Sequence, residues 1–276
     1  MIPKRVFATF VLLTMTAASG FAQEEPPGLA QAKKFEIVDN SFFVEEAFNQ
    51  DRGIFQNIFS WSRDGSGDWN ASFTQEWPAP SVIHQLSYTI PFVGGGIPTH
   101  FGGVLVNYRM QMFAEGRRRP AFSPRFSVIL PTGQDIDESD RPGVQFNLPL
   151  SKQFGDFYVH LNAGATWLYG VTAGETSRTN LMSPMYAGSV IWHTRPYLNL
   201  MLESVLTMQE TVIDEGTTTA QRIATFAPGI RGGWTIGDRQ VVLGGAVPIT
   251  LAEGEARSTA LLLYLSYELP FTSNHD

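Results

Sequence analysis

From Ile54 to Phe271 the sequence consists of segments of about ten residues in which apolar and polar side chains alternate, separated by clusters of Gly, Pro, Asp and Ser. Alternation with period two predicts β-strands that have one apolar face. A soluble β-sandwich would show the same alternation, with its apolar face turned to a core. Many of these segments are as long as the roughly nine to eleven residues that a tilted strand needs to cross a bilayer, whereas soluble strands average about five or six. Segment length therefore favours a transmembrane β-barrel.

Twelve segments can be delimited, and an even number is typical of single-chain bacterial barrels. In the last one, Leu261, Leu263 and Leu265 fall on one face, and Tyr264 and Ser266 fall on the other. We therefore predict an all-β fold, an antiparallel up-and-down transmembrane β-barrel of about twelve strands. The predicted strands are Ile54–Arg63, Trp69–Trp77, Val82–Phe92, Phe101–Phe113, Ala121–Leu130, Val144–Lys152, Phe157–Tyr169, Met185–His193, Tyr197–Gln209, Arg222–Ile236, Gln240–Thr250 and Thr259–Phe271.

The connections between the predicted strands alternate in length and in charge. Each connection after an odd-numbered strand is longer than the one that follows it, and the longer ones are mainly acidic. The shorter ones carry an excess of basic residues, with three consecutive arginines at Arg117–Arg119. Short periplasmic turns and longer outside loops are typical of outer-membrane barrels. We expect an acidic outer end and a basic periplasmic end.

The amino terminus has the three parts of a secretory signal. Lys4 and Arg5 form a basic start, an apolar run covers Val6–Met15, and small residues follow at Gly20 and Ala22. The run is about half the roughly twenty residues that a membrane helix needs. We predict four parts of the chain and localisation in the cell outer membrane: a cleaved signal peptide over residues 1–22, a periplasmic lead-in over 23–53, the barrel over 54–271 and a carboxyl-terminal tail over 272–276.

Composition excludes several classes of function. The sequence contains no cysteine, so it can have neither a disulfide nor a thiolate nucleophile or metal ligand. Loss of Lys4 and Arg5 with the signal peptide changes the formal charge from −7 to −9, which disfavours nucleic acid as a partner. We expect no cofactor. The final strand ends YLSYELPF, before a tail of Thr272–Asp276, and is similar to the signal that the barrel-insertion machinery reads.

Assigning the more apolar face of each strand to lipid gives a set of polar residues on the lumen side. They could form a charged constriction that screens solutes, or a salt-bridge network that plugs or braces the wall, and the sequence does not choose between these alternatives. The expected partners are outer-membrane lipid, the insertion machinery and a small-molecule solute. The lumen-facing candidates are Glu76, Arg109, Gln111, Arg125, His160, Asn162, Glu203, Arg231 and Glu268.

Histidines and an acidic run raise the question of two other kinds of site. A barrel hydrolase needs a serine nucleophile beside a histidine near the outer end, and His100 is the one histidine expected there, without an evident serine partner. We therefore expect no catalytic residues. The acidic run Asp135, Asp137, Glu138 and Asp140 could hold calcium through its oxygens, but it lacks the spacing of a calcium loop and is better interpreted as a solvated loop. No metal site is expected.

Two stretches carry a resemblance to a known family. FFVEEAFNQDRGIFQNIFSW and FSVILPTGQDIDESDRPGVQFNLPLS resemble segments of the predicted outer-membrane transporter family named for the meta pathway of phenol degradation. The resemblance implies a barrel that passes small, apolar or aromatic solutes, and it supplies no binding residues. Our first hypothesis is a passive channel, our second is a closed structural or surface-contact barrel, and our third is a barrel hydrolase.

Overall fold

The computed structural model describes residues 37, 39, 41–133, 141–173, 177–214, 217–237 and 239–271. In this part of the chain, sixteen β-strands form a single antiparallel sheet, and no helix is long and apolar enough to cross a membrane. The strands are β1 (Ile54–Asp64), β2 (Trp69–Pro78), β3 (His84–Gly94), β4 (His100–Phe101), β5 (Val104–Met110), β6 (Ala121–Phe122), β7 (Arg125–Leu130), β8 (Gly143–Asn147), β9 (Leu150–Phe154), β10 (Phe157–Ala173), β11 (Ser177–Arg195), β12 (Leu198–Asp214), β13 (Thr217–Ile236), β14 (Arg239–Ala246), β15 (Ile249–Ala252) and β16 (Ser258–Pro270).

The sheet closes on itself as a barrel. Strand β1 pairs with β2 on one side and with β16, the last strand, on the other, and β10 pairs with β11. Four membrane strands consist of two consecutive pieces, namely β4 with β5, β6 with β7, β8 with β9, and β14 with β15. Among the described residues the barrel therefore has twelve membrane strands, which confirms the predicted fold class and strand number. The barrel begins and ends at the same rim, where the Phe271 amide donates to the Gly53 carbonyl at 2.8 Å.

Proline explains three of the four interruptions. Pro124, Pro149 and Pro248 each lie just before the second piece of a divided strand, and each lacks the amide hydrogen that a continuous ladder requires. Neighbouring amides hold the pieces together: Ser123 donates to the Pro149 carbonyl at 3.2 Å, and Met110 donates to the Pro124 carbonyl at 3.2 Å. These three strands were predicted as uninterrupted, whereas each is divided at its proline.

Strands β10 to β13 are longer than their apolar alternation predicted. They contain 17, 19, 17 and 20 residues, and two connections that were expected to be long outside loops become much shorter. The added residues include the threonine run Thr217–Thr219, which suits a strand because threonine is β-branched. Pairing between strands therefore continues after the apolar alternation ends.

Side-chain exposure follows the alternation that the sequence predicted. In β16, Leu261 and Leu263 are 51% and 50% exposed on the outer surface, whereas Tyr264 and Ser266 are 4% and 2% exposed in the lumen. The outer surface also carries apolar residues of other strands, including Phe146, Leu161 and Leu202. A surface this apolar around a closed barrel is suited to lipid rather than water.

Candidate functional site

The lumen contains a segment of the chain itself. Ile37, Asp39 and residues 41–50 lie inside the barrel, and we call them the lumenal arch. Val44 and Ala47 are 1% and 0% exposed. This stretch belongs to the predicted periplasmic lead-in, whose sequence does not indicate whether it enters the barrel. The amino-terminal part of that lead-in, and the predicted signal peptide, lie outside the described residues.

The arch rises from the rim at which the barrel begins and ends, and returns toward it. The Gln50 amide donates to the Gln85 side chain at 2.8 Å near the start of β3. Traced from Gln50 back toward the amino terminus, the arch reaches the wall formed by β10 and β12 at residues 42–46. It then returns to Ile37, which packs beside Val242, close to the start of β14. The top of the arch therefore faces the acidic end of the barrel, and both of its limbs lie in the periplasmic half.

Glu203 on β12 binds the top of the arch. Its side chain is 0% exposed, and its two carboxylate oxygens accept hydrogen bonds from three consecutive backbone amides at 3.2 to 3.4 Å: Phe42, Phe43 and Val44. Consecutive amides that converge on one anion form a concave anion-binding site. Here the anion is supplied by the barrel wall and the amides by the arch.

Glu45 of the arch joins two arginines of the wall. Its carboxylate lies 3.1 Å from Arg109 on β5 and 2.7 Å from Arg125 on β7. Arg109, whose side chain is 2% exposed, also donates to the carbonyls of Glu46 and Phe48. Removing one partner of a buried ion pair leaves an uncompensated charge and costs about 3–5 kcal/mol, so loss of Glu45 or of either arginine should weaken the seating of the arch.

Neutral polar residues support the same limb. Asn162 on β10 accepts a hydrogen bond from the Glu45 amide at 2.8 Å and donates to the Glu45 carbonyl at 2.8 Å. The Ala47 amide donates to the Ser151 hydroxyl at 2.8 Å, and that hydroxyl lies 2.7 Å from Nδ1 of His160. The buried amides of the arch thus find partners on the wall, as burial requires.

Asp39 anchors the other limb. Its carboxylate accepts hydrogen bonds from Tyr264 at 2.9 Å and Ser266 at 2.7 Å, both on β16. Its carbonyl accepts a hydrogen bond from Arg231 on β13 at 2.7 Å. The Arg231 guanidinium also lies 3.7 Å from Glu46, so one arginine contacts both limbs of the arch.

Above the arch is an outer vestibule, a cavity of about 740 Å³ at the acidic end. Phe43, 38% exposed, lines it from below, and Asp64 and Asp68 line it from the β1–β2 connection. The wall is mixed in character, with the apolar side chains of Trp69 and Ile97 beside hydroxyl and amide groups. The polar wall residues are Ser62, Asn70, Thr225, Thr250 and Ser258.

The nine lumen-facing candidates lie at different positions relative to the arch. Five of them, described above, contact it directly. His160 Nε2 also lies 3.6 Å from the Glu46 carboxylate, and Gln111 donates to the Ala47 carbonyl at 3.4 Å. Glu76 accepts a hydrogen bond from Gln85 at 2.8 Å, and Gln85 in turn binds the arch. Glu268 lies near the periplasmic rim, where it accepts a hydrogen bond from the Gln240 amide at 3.2 Å.

The acidic partners that the arch supplies differ from the prediction. The acids and arginines of the wall were expected to pair with one another, whereas Arg109 and Arg125 pair with Glu45. The detectable signal was the cluster Asp39, Glu45 and Glu46 in a stretch without a strand period, beside three arginines assigned to the lumen. The acidic run at 135–140 lies outside the described residues, among which no group of three or more His, Cys, Asp or Glu could hold a metal.

Comparisons with known proteins agree with this architecture. No family model matches the chain, and no curated protein matches it. The structure of the COG4313 outer membrane channel from Pseudomonas putida F1 is similar, with a TM-score of 0.63 and 12% identity, over 84% of this chain and 100% of that one. The NanC porin gives a TM-score of 0.51 and 8% identity, over 78% of this chain and 100% of that one. With its closed barrel and apolar outer surface, this chain has the fold of outer-membrane channels and is an outer-membrane β-barrel.

Proposed function

We propose that the chain is a passive outer-membrane channel for small solutes, driven only by a solute gradient and restricted by its own lumenal arch. The outer vestibule is the observation that carries this proposal. Its wall combines polar side chains with Phe43 and Trp69 and leads from the outer end to the top of the arch. A barrel with a purely structural role needs no such cavity of about 740 Å³.

The mixed wall supports solutes that have both an apolar body and a polar group. Ligand cavities typically combine an apolar lining with a few polar groups that fix orientation. Phe43, Trp69 and Ile97 provide apolar surface for an aromatic or aliphatic solute, while hydroxyl groups such as Ser62 bind its polar end. The apolar part of this proposal agrees with the small, apolar or aromatic solutes implied by the resemblance to the phenol meta-degradation family.

The arch determines how much of the lumen is open. With the arch seated, Val44 and Ala47 are buried against the wall in the periplasmic half of the lumen. Solute flux through this region requires displacement of the arch or passage around it. We therefore expect small and intermittent conductance in the intact chain, and much larger conductance when the arch is removed.

The second hypothesis is a closed structural barrel, and the many bonds between the arch and the wall favour it. The third, a barrel hydrolase, would need a serine–histidine pair near the outer end. Ser151 and His160 do make such a contact, at 2.7 Å, but both are 0–1% exposed beneath the arch. The hydroxyl there accepts a hydrogen bond from the arch, so we propose that the pair is structural and that the chain is not an enzyme.

Planar-bilayer conductance tests the proposal. The intact chain is compared with a variant lacking residues 37–50 and with a control lacking residues 272–276, which retains the arch. Each protein is first checked for barrel closure by the difference in gel migration between boiled and unboiled samples. Conductance by the intact chain and the control, increased in the arch deletion, supports a channel. If the intact chain gives no conductance and the variant without the arch conducts, the barrel is closed by its arch and the channel proposal is wrong.

A further inference from the structure

The connection between β5 and β6 lies at the basic, periplasmic rim and contacts β9. Lys152 on β9 holds it there, because the ammonium lies 2.7 Å from Glu115 and donates to the Gly116 carbonyl at 2.9 Å. The Gln153 amide donates to the same carboxylate at 2.8 Å. This clamp fixes the position of the two residues that follow, Arg117 and Arg118.

Arg117 and Arg118 border an apolar groove of about 450 Å³. Its other lining residues include Leu150 and Phe154 on β9 and Leu161 on β10. Phe154 and Leu161 are 60% and 53% exposed on the outer surface of the barrel. The groove therefore belongs to the wall that contacts lipid, at the depth where that wall meets the periplasmic rim.

The two arginines carry charge that the described residues do not neutralise. No ion pair or hydrogen bond joins either guanidinium to another described residue, and both residues are exposed. Neighbouring basic groups are already engaged: Lys152 binds Glu115, and the Arg119 guanidinium lies 5.1 Å from the centre of the Phe113 ring. Two adjacent guanidinium groups without protein acceptors are suited to a phosphate, which each can bind through two parallel hydrogen bonds.

We propose that this groove binds a glycerophospholipid of the periplasmic leaflet. The lipid phosphate lies between Arg117 and Arg118, and one acyl chain follows the surface of Leu150, Phe154 and Leu161. The arrangement of charge above an apolar surface matches that of a phospholipid at a membrane interface, where basic residues attract anionic head groups. A small free anion would gain nothing from the apolar part of the groove, and a water-soluble partner would have to displace lipid from it.

Native mass spectrometry of the full-length chain in mild detergent, with phosphatidylglycerol added, tests the proposal. The variant R117Q/R118Q removes both head-group ligands, and R195Q/R239Q removes the same charge at other positions of the periplasmic rim. We expect the first variant to bind lipid at least tenfold more weakly and the second to bind like the unchanged protein. Boiled and unboiled migration confirms that each barrel is closed.

Two further measurements address the source of the phosphate and the role of the groove. Inorganic phosphate at millimolar concentration should not displace the lipid, and Leu161→Ala should weaken lipid binding without affecting barrel closure. Equal binding by R117Q/R118Q and R195Q/R239Q would overturn the proposal. Displacement by inorganic phosphate, or an unchanged affinity in Leu161→Ala, would show a general anion site and would also overturn it.

Discussion

Substituting Glu203→Gln should release the top of the arch. The carboxylate accepts four contacts from the amides of Phe42, Phe43 and Val44, at 3.2 to 3.4 Å. Glutamine keeps one oxygen but turns an NH₂ group toward amide donors, so about half of these contacts are lost. At about 1.5 kcal/mol for each hydrogen bond to a charged group, the loss is about 3 kcal/mol. The equilibrium between seated and released arch should therefore shift about 100-fold.

The absence of cysteine from the sequence makes this shift measurable. A single cysteine at Val44, which is 1% exposed, reacts with a water-soluble thiol reagent only when the arch opens. When reclosing is fast, the labelling rate is proportional to the open population. Val44→Cys combined with Glu203→Gln should thus label about 100-fold faster than Val44→Cys alone. Cysteine is smaller than valine, so the reporter itself does not overpack the lumen.

The control is Glu210→Gln, on the same strand and with the same loss of charge. Glu210 accepts hydrogen bonds from Met182 and Thr218, and no hydrogen bond or ion pair links it to the described part of the arch. It should leave the labelling rate of Val44→Cys unchanged. If Glu203→Gln and Glu210→Gln label equally fast, the amide–carboxylate contact does not hold the arch, and the reasoning is refuted.

Three other perturbations separate the arch, the wall and the vestibule. Arg109→Gln should speed labelling at Val44 more than Arg125→Gln does, because Arg109 binds several arch groups and Arg125 only Glu45; the opposite order would contradict the contacts. Gly143→Ala places a Cβ 2.3 Å from a backbone oxygen of the neighbouring strand and should lower the free energy of unfolding, measured in urea, by about 1–3 kcal/mol. An unchanged free energy of unfolding would contradict this close packing. The double substitution of Asp64 and Asp68 by Asn should shift the reversal potential in a salt gradient toward lower cation preference. An unchanged reversal potential would show that selectivity is set deeper in the lumen.

The barrel could be predicted because its signal is local. In each strand the alternation of apolar and polar side chains indicates which face is outer and which is inner, as Leu261, Leu263 and Tyr264 illustrate in β16. Interruptions at Pro124, Pro149 and Pro248 were also visible in the sequence, but the alternation continues across them and the strands were read as continuous. The extension of β10 to β13 was missed because pairing outside the lipid needs β-propensity rather than an apolar face.

The position of the arch could not be predicted, because its contacts are distant in sequence. Glu203 lies about 160 residues from the amides it binds, and Glu45 lies 64 residues from Arg109. The arch has no regular secondary structure, so it carries no period that would reveal a buried face. A partner for the arginines of the lumen could be expected on electrostatic grounds, but pairing with wall acids satisfied that expectation equally well.

The acids of the arch should affect the ion selectivity of the barrel. Among the nine lumen-facing candidates of the wall, the three acids Glu76, Glu203 and Glu268 balance three arginines. The described residues of the arch add three acids, Asp39, Glu45 and Glu46, and no basic residue. Removing the arch should therefore enlarge the conductance while lowering the preference for cations, since the excess negative charge leaves with it. Reversal potentials of the deletion lacking residues 37–50 measure both effects in one experiment. A more cation-selective deletion would show that the acids of the arch are neutralised in place.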